Sequence, residues 1–163
     1  MALSRREKLK NLLVLKFSEI STDNGYRTTP LPVIGYIPAG HAVQGWPQIC
    51  VVVGGGVLTW LDDPRTLSTM RFSVLVRGYF NDETSGIDEN IFAGDTAGEP
   101  LLHDMLKVFH SIASEYLEAS DAPWNIMGED GLTIGPITPY AANMGYVDIQ
   151  FNVLMRRVSS TFE

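Results

Sequence analysis

From Gly145 to Val158 apolar and polar residues alternate over most of the segment. Val147, Ile149, Phe151, Val153 and Met155 fall on one side, and Tyr146, Asp148, Gln150, Asn152 and Arg156 on the other. A period of two is the mark of a strand with one buried and one polar face. This chain must therefore build a sheet and cover one side of it. Met70–Phe80 repeats the pattern, with Phe72, Val74 and Val76 on one face and Arg71, Ser73, Leu75 and Arg77 on the other. Its predicted partner is Gln48–Val53, where Ile49, Cys50, Val51, Val52 and Val53 run without a polar break, as in a central strand covered on both faces.

Helical spacing appears twice. Between Ser4 and Ile20 the apolar positions Leu9, Leu12, Leu13, Phe17 and Ile20 make one stripe, ended by Ser21, Asp23, Asn24 and Gly25. A second helix is expected from Pro100, a residue suited to a first helical position, with Leu102, Met105, Phe109, Ile112 and Tyr116 carrying it to about Ala119. Tyr26–Thr29 and Val33–Ile37 read as an edge strand or a strand broken in two, because Pro30 and Pro32 cannot donate to a ladder. Gly54-Gly55-Gly56 is expected to end the central strand, and Leu132–Thr138 to form a short strand. These elements define the expected fold class: α+β, a single domain, with a mostly antiparallel β-sheet and two main helices packed on one face. The domain covers residues 1–163, with the N-terminal helix at 1–20, an acidic loop at 81–99 and a C-terminal tail at 159–163.

At 163 residues, 45% hydrophobic and 19% charged, the chain has room for one domain and lacks the composition of a disordered one. No apolar run approaches the roughly 20 residues of a membrane helix. Met1–Lys10 is basic, but Leu12–Leu15 is too short for the apolar part of a signal peptide. The single cysteine, Cys50, excludes an internal disulfide and a cysteine zinc site.

Net charge is −7, unevenly spread. Between Asp82 and Asp130 twelve acids face one base, Lys107, so this stretch carries −11 and the remainder, with eleven bases and seven acids, +4. Arg5, Arg6, Lys8, Lys10 and Lys16 crowd the first helix, and Arg156 and Arg157 stand near the end. Such runs read as solvated faces or as complementary patches between copies. No basic stripe interleaved with aromatics points to sequence-specific nucleic-acid binding.

Catalytic patterns are weak throughout. The three consecutive glycines lack both GxxxxGK[ST] and GxGxxG. His103 and His110, seven residues apart on a helix, stand about 10.5 Å apart along its axis, too far to share one zinc. Asp82, Glu83, Asp88 and Glu89 miss the EF-hand pattern. Cys50 within an apolar strand reads as a small hydrophobe. Neither GxSxG nor HExxH occurs. No catalytic residue, metal or cofactor is expected. Trp46, in a loop between Gly45 and Pro47, reads either as a cap on the sheet edge or as an anchor at a protein contact.

The order of these features resembles a known family. A basic amphipathic helix leads to Asn24-Gly25-Tyr26-Arg27-Thr28, then to Pro47-Gln48-Ile49-Cys50-Val51-Val52-Val53. Met70-Arg71-Phe72-Ser73-Val74-Leu75-Val76-Arg77-Gly78-Tyr79 follows, and after an acidic loop and a long helix comes Tyr146-Val147-Asp148-Ile149-Gln150-Phe151-Asn152-Val153. This order resembles the tail terminator (tail completion) proteins of long-tailed bacteriophages. The resemblance implies a virion protein of the tail or neck, assembled in the host cytoplasm. It implies a homo-oligomeric ring, usually of six copies, that caps the completed tail tube, ends its polymerisation and presents a surface for head joining. The partners it implies are further copies of the chain, the tail tube protein and a head-tail connector or neck protein. DNA would pass through the lumen without sequence-specific binding, and no membrane is involved. Candidate interface residues are Arg5, Arg6, His41, Trp46, Asp88, Glu89, Asp148, Gln150, Asn152, Arg156 and Arg157. The nearest alternative is a neck adaptor or head-completion protein between portal and tail. Competitors from other classes are a small hydrolase using the Asp82–Glu89 carboxylates with His103, and a monomeric binding module.

Overall fold

The computed structural model describes residues 3–38, 43, 45–60, 68–81, 98–113, 116–119, 122–126, 131–141 and 144–157. The first helix, α1 (Arg5–Phe17), begins where Ser4 and Glu7 cap each other. The Glu7 amide donates to Ser4 Oγ at 3.2 Å, and the Ser4 amide donates to Glu7 Oε2 at 2.7 Å. Leu9, Leu13 and Phe17 form its buried stripe, while Leu12 lies at the margin. After it comes a 3₁₀ turn, Thr22–Asn24, which ends at Gly25 with φ 80°, the left-handed region that glycine enters at least cost.

The bond from the Ser4 amide is the main cause holding the Glu7 carboxyl below its ordinary value of 4.5. A depressed folded-state pKa means stability that is present above the unfolded value and lost as pH falls through the folded one. Wild type is therefore expected to melt above Glu7→Gln at pH 6, with the gap narrowing as pH falls below 4.5. Circular dichroism melts at pH 6 and below pH 4.5 check this, and a gap that does not change with pH contradicts it.

Eight strands form one sheet: β1 (Val33–Ile34), β2 (Gln48–Trp60), β3 (Ser68–Asn81), β4 (Tyr116–Ala119), β5 (Ala122–Ile126), β6 (Thr133–Ile134), β7 (Thr138–Ala141) and β8 (Met144–Arg157). The order across it is β1-β2-β3-β8-β5-β4. The free edge of β8 is shared in turn by β7, β6 and β5. Among the described residues only β1 against β2 is parallel; the other pairings are antiparallel.

The second helix, α2 (Gly98–Ala113), lies with α1 on a single face of the sheet. Ile49, Val51 and Val53 of β2 meet Phe72, Val74 and Val76 of β3 and the apolar row of β8 from Val147 to Met155 in one core. Leu9, Leu13, Leu101, Met105 and Ile112 close that core from the helices. The fold is thus a single-domain α+β structure whose sheet is mostly, though not wholly, antiparallel.

Four local expectations are corrected. The three glycines do not end β2, which continues to Trp60. Gly54 and Gly55 stand opposite the single residue Ser73, between the pairs Val53↔Val74 and Gly56↔Phe72. That two-against-one count is a β-bulge, in which the unpaired residue bends the strand. A Cβ on Gly54 would come within 2.6 Å of Ser73 Oγ. The second helix stops at Ala113, and Tyr116 belongs to β4, where a ladder with β5 outweighs the continuing helical period. Tyr26–Thr29 is irregular and only Val33–Ile34 of the next segment is a strand, because prolines flank it and remove donors. Leu132–Thr138 is divided between β6 and the start of β7, with Gly135 and Pro136 between them.

Candidate interaction surfaces

The second face of the sheet carries the alternate residues of β2, β3 and β8. Arg77 stands opposite Asp148 in the β3–β8 ladder. Its Nε and Nη2 donate to Oδ1 and Oδ2 of Asp148, each at 2.8 Å. The guanidinium carbon lies 4.0 Å from the Tyr146 ring centroid and 5.9 Å from that of Tyr79. Bidentate pairing and ring stacking use the planar shape that distinguishes Arg from Lys. The bond to Asp148 raises the Arg77 pKa above its usual range. Asp148 is therefore engaged within its own chain, whereas Gln150 is exposed and Asn152 half-buried on the same face. Gln48 and Cys50 are buried on it. Burial pushes the Cys50 thiol up, which keeps it protonated and unreactive at neutral pH.

A second surface borders β1. The Leu31 amide donates to Pro47 O at 3.0 Å and the Ile49 amide to Pro32 O at 3.3 Å. The two segments run so close that a Cβ on Gly45 would collide with the carbonyl oxygen of Leu31. Along these segments apolar side chains are exposed: Leu31 is 69% exposed, Tyr36 54% and Trp46 37%. Exposed apolar residues gathered at one place mark contact surfaces more often than single ones do. Beside them a cleft of about 260 Å³ is lined by Arg27, Thr28, Trp46, Pro47, Phe80, Asn81 and Pro100.

Asp104 holds one wall of that cleft in place. Fully buried on α2, its carboxylate accepts from the amides of Arg27 and Thr28 at 2.7–3.1 Å and from Thr28 Oγ1 at 2.6 Å. Nearby, Lys107 Nζ donates to Gly25 O at 3.0 Å and lies 4.6 Å from the Tyr26 ring centroid. Sequence reasoning counted Asp104 only as one acid of twelve. The overlooked signal is its spacing: position 104 falls on the same helical stripe as Leu101, Met105, Val108 and Ile112. An acid on a core stripe needs buried donors to receive it.

A third surface lies along the outer side of α1. Ser4, Arg6, Glu7 and Lys10 line a cleft of about 410 Å³ with Gly35, Val52 and Val53. Arg6 is exposed there, while Arg5 turns inward with Nη1 3.4 Å from Met155 Sδ. Arg156 and Arg157 are the last residues of β8. The loop expected at 81–99 is shorter at both ends, since Asn81 closes β3 and Gly98 and Glu99 open α2; residues 82–97 with Asp88 and Glu89, His41 and the tail at 159–163 lie outside the described residues. The candidate positions thus fall on separate surfaces: Trp46 by β1, Arg6 on α1, and Asp148, Gln150 and Asn152 on the second face of the sheet.

His103 and His110 are both exposed on α2. Among the described residues no group of three or more His, Cys, Asp or Glu is placed to hold a metal ion. Nor is any described helix long and apolar enough to cross a membrane. No family model matches the chain, and no curated protein matches it.

Proposed function

We propose that this chain is the repeating subunit of a ring that caps the completed tail tube of a long-tailed phage, ends its growth and offers the surface to which the head joins. The observation that carries the reading is the succession of elements. Basic α1, then β2 and β3, an acid-rich span, α2 and the long β8 follow in the order that the resemblance to tail terminators calls for. A head-to-tail ring needs two different complementary patches on each copy. The apolar rim of Leu31 and Trp46 is suited to one side. The acids between 82 and 130 other than the buried Asp104 are suited to the other. Acids such as Asp88 and Glu89 facing the lumen would repel DNA phosphates and let the genome pass.

The test is molar mass by light scattering, for the chain alone and with purified tail tubes lacking heads. The expected result is a mass near six subunits, or a monomer that adds only to tube ends. A stable monomer that ignores tubes overturns the reading. A ring that ignores tubes yet binds the portal favours the neck adaptor instead.

A further inference from the structure

We propose that the cleft beside Trp46 receives residues 158–163 of a neighbouring copy, with Phe162 on its apolar floor and Glu163 at Arg27. The inference rests on the ring reading and adds to it the contact that links one copy to the next. The cleft sets apolar lining beside a cation. Buried Phe80 and the prolines 47 and 100, which have no N–H to satisfy, form an apolar floor, and Trp46 forms its rim. Arg27 is exposed at the same cleft. Its amide is held by Asp104, while among the described residues its guanidinium has no ion-pair partner. The segment that follows β8, Val158-Ser159-Ser160-Thr161-Phe162-Glu163, contains one aromatic residue with an acid next to it.

Reach decides which copy supplies it. Phe80 and Asn81, at the cleft, pair with Gly145 and Met144 at the start of β8, whereas residue 158 leaves from its far end. Arg157 stands twelve residue steps along the strand from Gly145, a distance of about 40 Å. Phe162 lies five residues beyond Arg157 and reaches at most about 18 Å. That reach is shorter than the distance, so the proposed donor of the segment is another copy. In a head-to-tail ring each copy gives one such segment and receives one, so the contact closes on itself without a second interface type.

The experiment places a benzophenone-bearing phenylalanine at position 162 and mixes ¹⁵N-labelled with unlabelled chain before assembly, alone or on tube ends. Light scattering measures the mass, the sample is irradiated, and the joined peptides are identified by mass spectrometry. The expected result is mixed-isotope pairs joining position 162 to peptides containing Arg27–Thr28 or Trp46–Pro47. In parallel, Phe162→Ala is expected to weaken association at least about 10-fold, as truncation of an interface aromatic anchor does, with the subunit's own melting temperature unchanged. A ring of the expected mass whose cross-links lie elsewhere, or within one copy, overturns this contact and leaves the ring reading standing. A chain that stays monomeric with and without tubes overturns both.

Discussion

Asp104→Ala is expected to lower the stability of the fold by about 3 kcal/mol. The carboxylate is fully buried and receives the amides of Arg27 and Thr28 and the Thr28 hydroxyl. Alanine leaves three donors without their acceptor, and each unsatisfied buried donor costs about 1–3 kcal/mol. Arg27 is exposed and Thr28 half-buried, so water recovers some of that loss. For a chain of this size the change corresponds to a fall in melting temperature of about 6–12 °C. Asp104→Asn keeps the shape and one acceptor oxygen and should lose less. Hydrogen exchange provides a local readout, since the amides of Arg27 and Thr28 should lose protection in both variants. A melting shift of less than about 2 °C for the alanine variant contradicts the assignment. The same variant should loosen the cleft beside Trp46, because residues 27 and 28 form part of its wall.

Trp124→Ala is expected to cost still more, about 3–5 kcal/mol, the range for emptying a large aromatic site in a core. Trp124 is 1% exposed and meets Phe72 edge-on, with ring centroids 5.5 Å apart at 68°. It also sits on a short ladder: among the described residues β5 joins β8 through residues 124 to 126, and β4 pairs with β5. Loss of the indole should therefore release the β4–β5 ribbon as well as open a cavity. Trp124→Phe separates packing from polarity. The indole N–H is buried without a hydrogen-bond partner among the described residues, so removing it relieves a desolvation cost that offsets the smaller ring. The phenylalanine variant should lie within about 1.5 kcal/mol of wild type. Denaturant midpoints of the three proteins check both statements, and a phenylalanine variant as unstable as the alanine one contradicts the second.

Strands with strong alternation were legible from the chain alone. β3 and β8 lie within two residues of their expected ends, and β2 pairs with β3 as predicted. Their period of two survives any tertiary context, since slipping by one residue would turn the apolar row to solvent. The stripe of α1 was equally plain, whereas its Ser4–Glu7 cap was not read from the chain. The glycine run failed as a stop because glycine marks a bulge as readily as a turn, and only the opposing residue, Ser73, distinguishes the two. Tyr116 failed as a helical position because pairing with β5 is a long-range event that local spacing does not record.

Among the candidate contact residues, Trp46 was identified from its loop setting and is exposed beside a cleft. Asp148 was read from its face, but its partner was not, because Arg77 lies 71 residues away and meets it only through the β3–β8 register.

What the residues alone determined is the α+β class, the two-faced sheet, the helical stripes and the uneven charge, all set by local periodicity and composition. What the tertiary structure decided is which polar groups become partners. Register placed Arg77 on Asp148, close packing brought Asp104 under the amides of Arg27 and Thr28, and residues 31–32 came to lie against 45–47, where Leu31 and Trp46 are exposed. Such pairings depend on distances between segments far apart in the chain, and a pattern of nearest neighbours carries no information about them.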